Sequence, residues 1–207
     1  MRKALSLVEL IFTIVIIAIV FTVIPKIVLA LNKADSFSIR QDALFNGVSM
    51  ASMISRLPWD EANTNESDIL HTNSTNFECN ASTYKRVGGF IGSRTCEHNL
   101  TSSLGTDGEL DYASYNDIDD FINENNITAS PYRLETKVTY LTDSYVRSGD
   151  KVTFDLSNNV ETNSSTNLKK LDIKVFYVGN RGGEKDITQF NYISSNIGQI
   201  TLNQRNW

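Results

Sequence analysis

Histidine is almost missing. Only His71 and His98 occur in 207 residues, and neither sits in a motif that sets a serine and an acid around it, so a Ser-His-Asp hydrolase is not indicated. There are two cysteines, Cys79 and Cys96. With His98 as the one nearby nitrogen ligand, they lack the four-ligand spacing of a zinc site. Basic runs are short: no Lys/Arg cluster exceeds two residues, and acids outnumber bases 24 to 19. That leaves no basic surface for nucleic acid. The glycine pairs at Gly88 and Gly182 lack the pattern of a phosphate-cradling loop. Neither an enzyme nor a cofactor is expected. The length allows one moderate domain plus an appendage.

Charge is missing from one stretch. From Leu5 to Leu31 the only charged residues are Glu9 and Lys26, and Leu10 to Ile24 is apolar except for Thr13 and Thr22. With its flanks, that run is long enough to cross a bilayer. Arg2 and Lys3 precede it, so the positive-inside rule keeps the N-terminus cytoplasmic and the rest outside. A secretory signal peptide starts the same way. Here no small-x-small cleavage site follows the run, and an acid stands at its start; the segment is expected to stay attached. Glu9 itself has two readings. An acid near a helix N-terminus is favoured by the helix dipole. An acid inside a membrane needs a cation as partner.

The opening "RKALSLVEL" resembles a type IV prepilin leader: a short basic peptide, a small residue, then an apolar residue, Ser/Thr, Leu, an aliphatic residue and Glu. The resemblance implies cleavage between Ala4 and Leu5 by a membrane prepilin peptidase, which also methylates the new amine of Leu5. Ala4 stands where Gly is more usual, and Leu5 where Phe is. Glu9 then becomes the fifth residue of the mature chain. The resemblance implies that it pairs with the N-terminal amine of a neighbouring subunit during assembly. At low dielectric a contact ion pair is worth far more than in water, so Glu9 would pin the register.

The helix is expected to run past the membrane to Leu57, about 80 Å from Leu5 at 1.5 Å per residue. Pro25 lies inside it and should kink or loosen it, since proline removes a backbone donor; the resemblance implies the same. Phe37, Leu44, Val48, Ala51, Ile54 and Leu57 recur at helical spacing and predict the buried face. Pro58 stops the run.

Residues 58–130 are polar and irregular. "PWDEANTNES" and "YNDIDDFINENN" resemble stretches of minor pilins of the PilV-like group and of those related to mannose-sensitive haemagglutinin pili. In those, a Trp-Asp-Glu element follows the helix and an "(V/I)DD(F/Y)" element comes later. Here they are Trp59, Asp60 and Glu61, then Ile118, Asp119, Asp120 and Phe121, with Ile122 and Asn123 where Asn-Gly is usual. Read from the residues alone, "DIDDF" is a turn with Ile118 and Phe121 inward and the Asp side chains capping backbone donors. The alternative is a calcium site drawn from Asp107, Glu109, Asp111, Asp117, Asp119 and Asp120, which supply hard oxygens without the spacing of an EF-hand loop. Cys79 and Cys96 would face the oxidising side, where pairing is expected. They enclose "RVGGFIG", read as a stapled hairpin or lobe.

Residues 131–207 read as antiparallel strands. "RLETKVTYL" alternates around Leu134, Val138 and Tyr140. "KVTFDL" follows. "LKKLDIKVFYV" sets Leu171, Ile173, Val175 and Tyr177 on one face. "DITQFNYI" and "IGQITL" complete the set, with short connections that suit hairpins. Trp207 packs on the sheet or is left for a partner; the sequence leaves both open.

Six Asn-x-Ser/Thr triplets occur, at Asn65, Asn73, Asn80, Asn99, Asn126 and Asn163. In four, Asn80, Asn99, Asn126 and Asn163, an acid stands two residues earlier, which resembles the extended acceptor of bacterial N-glycosylation. Asn-rich loops also produce triplets by chance.

The expected fold class is α+β: leader 1–4, membrane helix 5–31, its amphipathic half 32–57, irregular region 58–130, and an antiparallel sheet at 131–207 packed on the helix. The resemblance implies a minor pilin that enters or primes a filament, in a structural or adhesive role. A type II secretion pseudopilin is the alternative, and a filament-free anchored periplasmic domain the third reading. Implied partners are other pilin subunits, the prepilin peptidase and an inner-membrane assembly platform. The implied location is the bacterial inner membrane, single-pass with a periplasmic domain, and extracellular once assembled.

Overall fold

The computed structural model describes residues 6–65, 68–75, 79–86, 94–148, 151–154, 160–179 and 183–198. Ala4, Leu5, residues 87–93, residues 199–202 of the expected last strand, and Trp207 lie outside the described residues. The chain divides into two units, Met1–Asp42 and Ala43–Trp207. The long helix α1, Leu7–Ile54, begins in the first and ends in the second.

In the first unit, Ser6 caps α1. Its hydroxyl accepts the backbone N–H of Glu9 at 3.3 Å. With Glu9 as the acid of the first turn, "SLVE" is the Ser-x-x-Glu arrangement of a capping box. The hydroxyls of Thr13 and Thr22 donate back to carbonyls one turn earlier, those of Glu9, Ala18 and Ile19, which hides their polarity inside an apolar run. Pro25 lies within the helical span. An 18-residue window of α1 has a mean hydropathy of 3.0 and no buried residue. By length and composition it fits one membrane span.

In the second unit, α1 buries Ala43, Gly47, Met50 and Ile54, a stripe at four-, three- and four-residue steps. This corrects the face read from the sequence. Leu44 and Val48 are 47% and 45% exposed, Phe37 is 70% exposed, and of that set only Ile54 is buried, with Ala51 and Leu57 half-buried. The physical reason is close approach. A Cβ added at Gly47 would stand 2.6 Å from Phe190 Cδ2 and 3.1 Å from Val175 Cγ2. Half of the buried stripe, Ala43 and Gly47, is small, and a search for large apolar residues misses that half.

The strands follow β propensity and alternation. They are β1 Cys79–Asn80, β2 Lys85–Arg86, β3 Ile127–Ala129, β4 Tyr132–Leu141, β5 Tyr145–Ser148, β6 Lys151–Phe154, β7 Glu161–Thr162, β8 Leu168–Val178 and β9 Glu184–Ser195. The main sheet has the order β3-β4-β8-β9, with β7 pairing the end of β4, and every pairing is antiparallel. Its core face carries Leu134, Thr136, Val138 and Tyr140 from β4 and Leu171, Ile173 and Val175 from β8. Lys169 lies two residues before Leu171, so the period of two places it on that same face. It is buried, opposite Tyr140 in the register. The fold is α+β, a long N-terminal helix packed on a C-terminal antiparallel sheet.

The region between helix and sheet is held by polar side chains. Asn196, just past β9, accepts the N–H of Leu70 and donates to its carbonyl, at 2.9 and 2.7 Å. Cys79 and Cys96 are disulfide-bonded. The bond ties the small β1-β2 hairpin to the segment that follows residue 93.

Candidate functional site

The Trp-Asp-Glu and Ile-Asp-Asp-Phe elements meet. Ile118 donates its N–H to the Pro58 carbonyl at 3.0 Å, which sets the two turns side by side. Between them stands the Lys169 ammonium. It donates to the Trp59 carbonyl at 2.7 Å, to Asp60 Oδ2 at 2.9 Å and to Asp119 Oδ1 at 2.7 Å. An ammonium has three protons, so its capacity is met. Nζ also lies 4.1 Å from the centroid of the Trp59 ring, within cation–π range. Asp60 Oδ2 accepts the Ser102 hydroxyl at 2.7 Å, and Ser102 reaches Tyr140 Oη at 2.6 Å.

The second turn caps itself as the sequence reading expected. Ile118 and Phe121 are buried. Asp117 Oδ1 accepts the N–H groups of Asp119 and Asp120 at 2.8 and 3.1 Å. Asp120 Oδ2 accepts those of Asn116 and Asp117 at 2.7 and 3.1 Å. Asp119 Oδ2 accepts from Gly105 at 3.2 Å. Burial, reinforced by the charges of Asp119 and Asp120, pushes the Asp117 carboxyl up to about 9. Burial pushes Asp119 up to about 7, with Lys169 pulling the other way.

The remaining candidates are placed as follows. Glu9 is exposed in the first turn of α1. Glu109 is half-buried and accepts from Asn116 Nδ2 at 3.0 Å, while exposed Asp111 accepts from Ala113 N–H at 3.0 Å. Exposed Asp107 lies in a left-handed turn ahead of Gly108, whose φ of +118° suits glycine. Asn80, Asn99, Asn126 and Asn163 are all exposed, as are Asn65 and Asn73. His71 lies near Cys79 and Cys96, but both sulfurs are spent on each other. Lys169 is the residue that sequence reasoning missed. Its signal was present: it falls in phase with Leu171, Ile173 and Val175.

A separate acid takes the opposite shift. Asp68 is buried, accepts from the Thr95 hydroxyl at 2.8 Å and the His98 N–H at 2.9 Å, and lies 2.7 Å from His98 Nδ1. Burial works to raise its carboxyl, but these bonds together hold it below its ordinary value. A depressed carboxylate stabilises the fold above the unfolded value, about 3.9, and stops doing so as pH falls through the folded one. The stability gap between wild type and Asp68→Asn should therefore be full at neutral pH and narrow below about pH 4. Paired thermal melts across that range check it.

No family model, curated protein or solved structure matches the chain. Fold and site define an α+β domain with a buried ion network, on a helix long and apolar enough to span a membrane.

Proposed function

We propose that the chain is a minor type IV pilin-like subunit, processed between Ala4 and Leu5 and built into, or priming, a filament through α1. The observation that carries this reading is the head of the helix. Glu9 sits in its first turn, at the start of an exposed apolar surface. An exposed acid there calls for a cation once the helix is in lipid, and the amine of a neighbouring processed subunit supplies one. A helix whose last turns are buried in an α+β domain suits that use, because it tethers the domain to the filament. The subunit would lie in the inner membrane with its domain outside, and leave with the filament.

The test is the N-terminal mass of the membrane-extracted chain, with and without its prepilin peptidase, in wild type, Glu9→Ala and Glu9→Gln. A chain starting at methylated Leu5 in all three, with both variants lost from sheared filaments, is the expected result. Glutamine keeps the Ser6 cap on the residue-9 N–H and the length of the side chain but not the charge, so its failure assigns the loss to the missing ion pair. A chain still starting at Met1 sinks the reading. Correct processing without filaments, together with a secretion defect, favours the pseudopilin alternative.

A further inference from the structure

We propose that Asp107, Asp117 and Asp119 hold a divalent cation, Ca²⁺ by the chemistry of the donors, where the 105–109 turn meets the Ile-Asp-Asp-Phe turn. The inference goes beyond the pilin reading and does not depend on it.

The first support is charge. The carboxylates of Asp60, Asp117, Asp119 and Asp120 are at most 2% exposed, and Lys169 is the one Lys or Arg side chain buried among the described residues. Lys169 has spent its three protons on the Trp59 carbonyl, Asp60 and Asp119. Asp120 is served by two backbone N–H groups. Asp117 also accepts two, but both go to Oδ1.

The second support is the other oxygen. Asp117 Oδ2 is shut off from water and finds no hydrogen-bond partner among the described residues, on a side chain with no exposed surface. A buried carboxyl oxygen without a partner is costly whether or not it carries the proton, and a cation there would displace the proton and supply the partner. Glu109 Oε2 and Asn116 Oδ1, from the same segment, also find no partner among the described residues.

The third support is distance. One carboxylate oxygen from each of Asp107, Asp117 and Asp119 lies within 4.8 Å of the others. Calcium–oxygen bonds of about 2.4 Å let oxygens on one ion stand up to roughly that far apart. All three donors are hard oxygens, and among the described residues the group includes no His or Cys to favour zinc. Asp107 is exposed, so the ion has a way in and room for water ligands. Magnesium demands stricter octahedral geometry and gives up its water reluctantly, which suits this irregular set less. Lys169, 2.7 Å from Asp119 Oδ1, repels a second cation and keeps affinity modest, in the range of about 10⁻⁴–10⁻³ M seen in extracellular modules. Of the six acids named from the sequence, Glu109, Asp111 and Asp120 fall outside the set.

The experiment uses the full chain in detergent, stripped with chelator, and melted with CaCl₂ or MgCl₂ at about ten times the expected Kd. Calcium should raise Tm by about 4 °C, and magnesium by less than half of that. Asp107→Asn is the decisive variant, because its side chain is exposed and its loss leaves the core intact. It should melt like wild type without calcium and lose the calcium shift. No shift in wild type, or a shift that survives Asp107→Asn, overturns the site.

Discussion

Lys169→Met should cost the domain about 3–5 kcal/mol, read as a fall in Tm of roughly 10 °C in the detergent-solubilised chain. Methionine fills much of the same space, so a cavity is not the cause. The loss comes from the two carboxylates left behind. Asp60 and Asp119 are buried and lose the one ammonium paired with them among the described residues, and a buried charge without a partner is strongly destabilising. The Trp59 carbonyl loses a donor too. Lys169→Arg should rescue little. Three acceptors converge on one nitrogen, whereas a guanidinium spreads its donors in a rigid plane. Adding Asp119→Asn to Lys169→Met should recover part of the loss, because it removes one stranded charge. A single variant within about 1 kcal/mol of wild type would show that water or protons take over the role of the ammonium.

Gly47→Leu should cost about 3 kcal/mol, at the upper end of what overpacking does. The Cβ position is already closed by Phe190 and Val175, and leucine adds three further carbons. Gly47→Ala brings only that Cβ, and the Phe190 ring is half-buried and able to turn, so a smaller loss of about 1 kcal/mol is expected. The ordering alanine before leucine in thermal melts is the check. A leucine variant as stable as wild type would mean that the helix does not seat on the sheet through this turn. Leu44→Ala is the matched control, since its side chain is nearly half exposed and should change stability by no more than about 0.5 kcal/mol.

These two residues also mark how far the sequence could be read. The apolar run of α1, the strands around Leu134 to Leu141 and Leu171 to Val175, and the inward turn of Ile118 and Phe121 were legible. Each follows from periodicity or turn chemistry, which act within a few neighbours. Gly47 was not legible, because what matters there is Phe190 on β9, far along the chain. Periodicity pointed to Phe37, Leu44 and Val48, and it cannot tell apolar surface meant for a sheet from apolar surface meant for something else. Lys169 was passed over because a lysine reads as solvent-facing, even in phase with a buried row. The capping box at Ser6 and Glu9 was available from spacing alone, and it lay hidden behind the membrane reading of Glu9. Among the six acids, the sequence does not sort capping oxygens from unmet ones, since that depends on which backbone N–H groups each carboxylate faces.

The position of Lys169 along the chain also bears on the order in which the domain comes together. Its carboxylate partners precede it by 109 and 50 residues. Loops of that size close only after much chain entropy is lost, so contacts across them form late unless the sheet has already brought their ends close. Lys169 lies on β8, whose pairing with β4 carries it to the turns. Before that pairing Asp60 and Asp119 are expected to remain hydrated. An order in which the β4–β8 pairing comes first spares the chain a state with a buried, unpaired carboxylate, so the polar middle region is expected to set only when the strand bearing its counterion arrives.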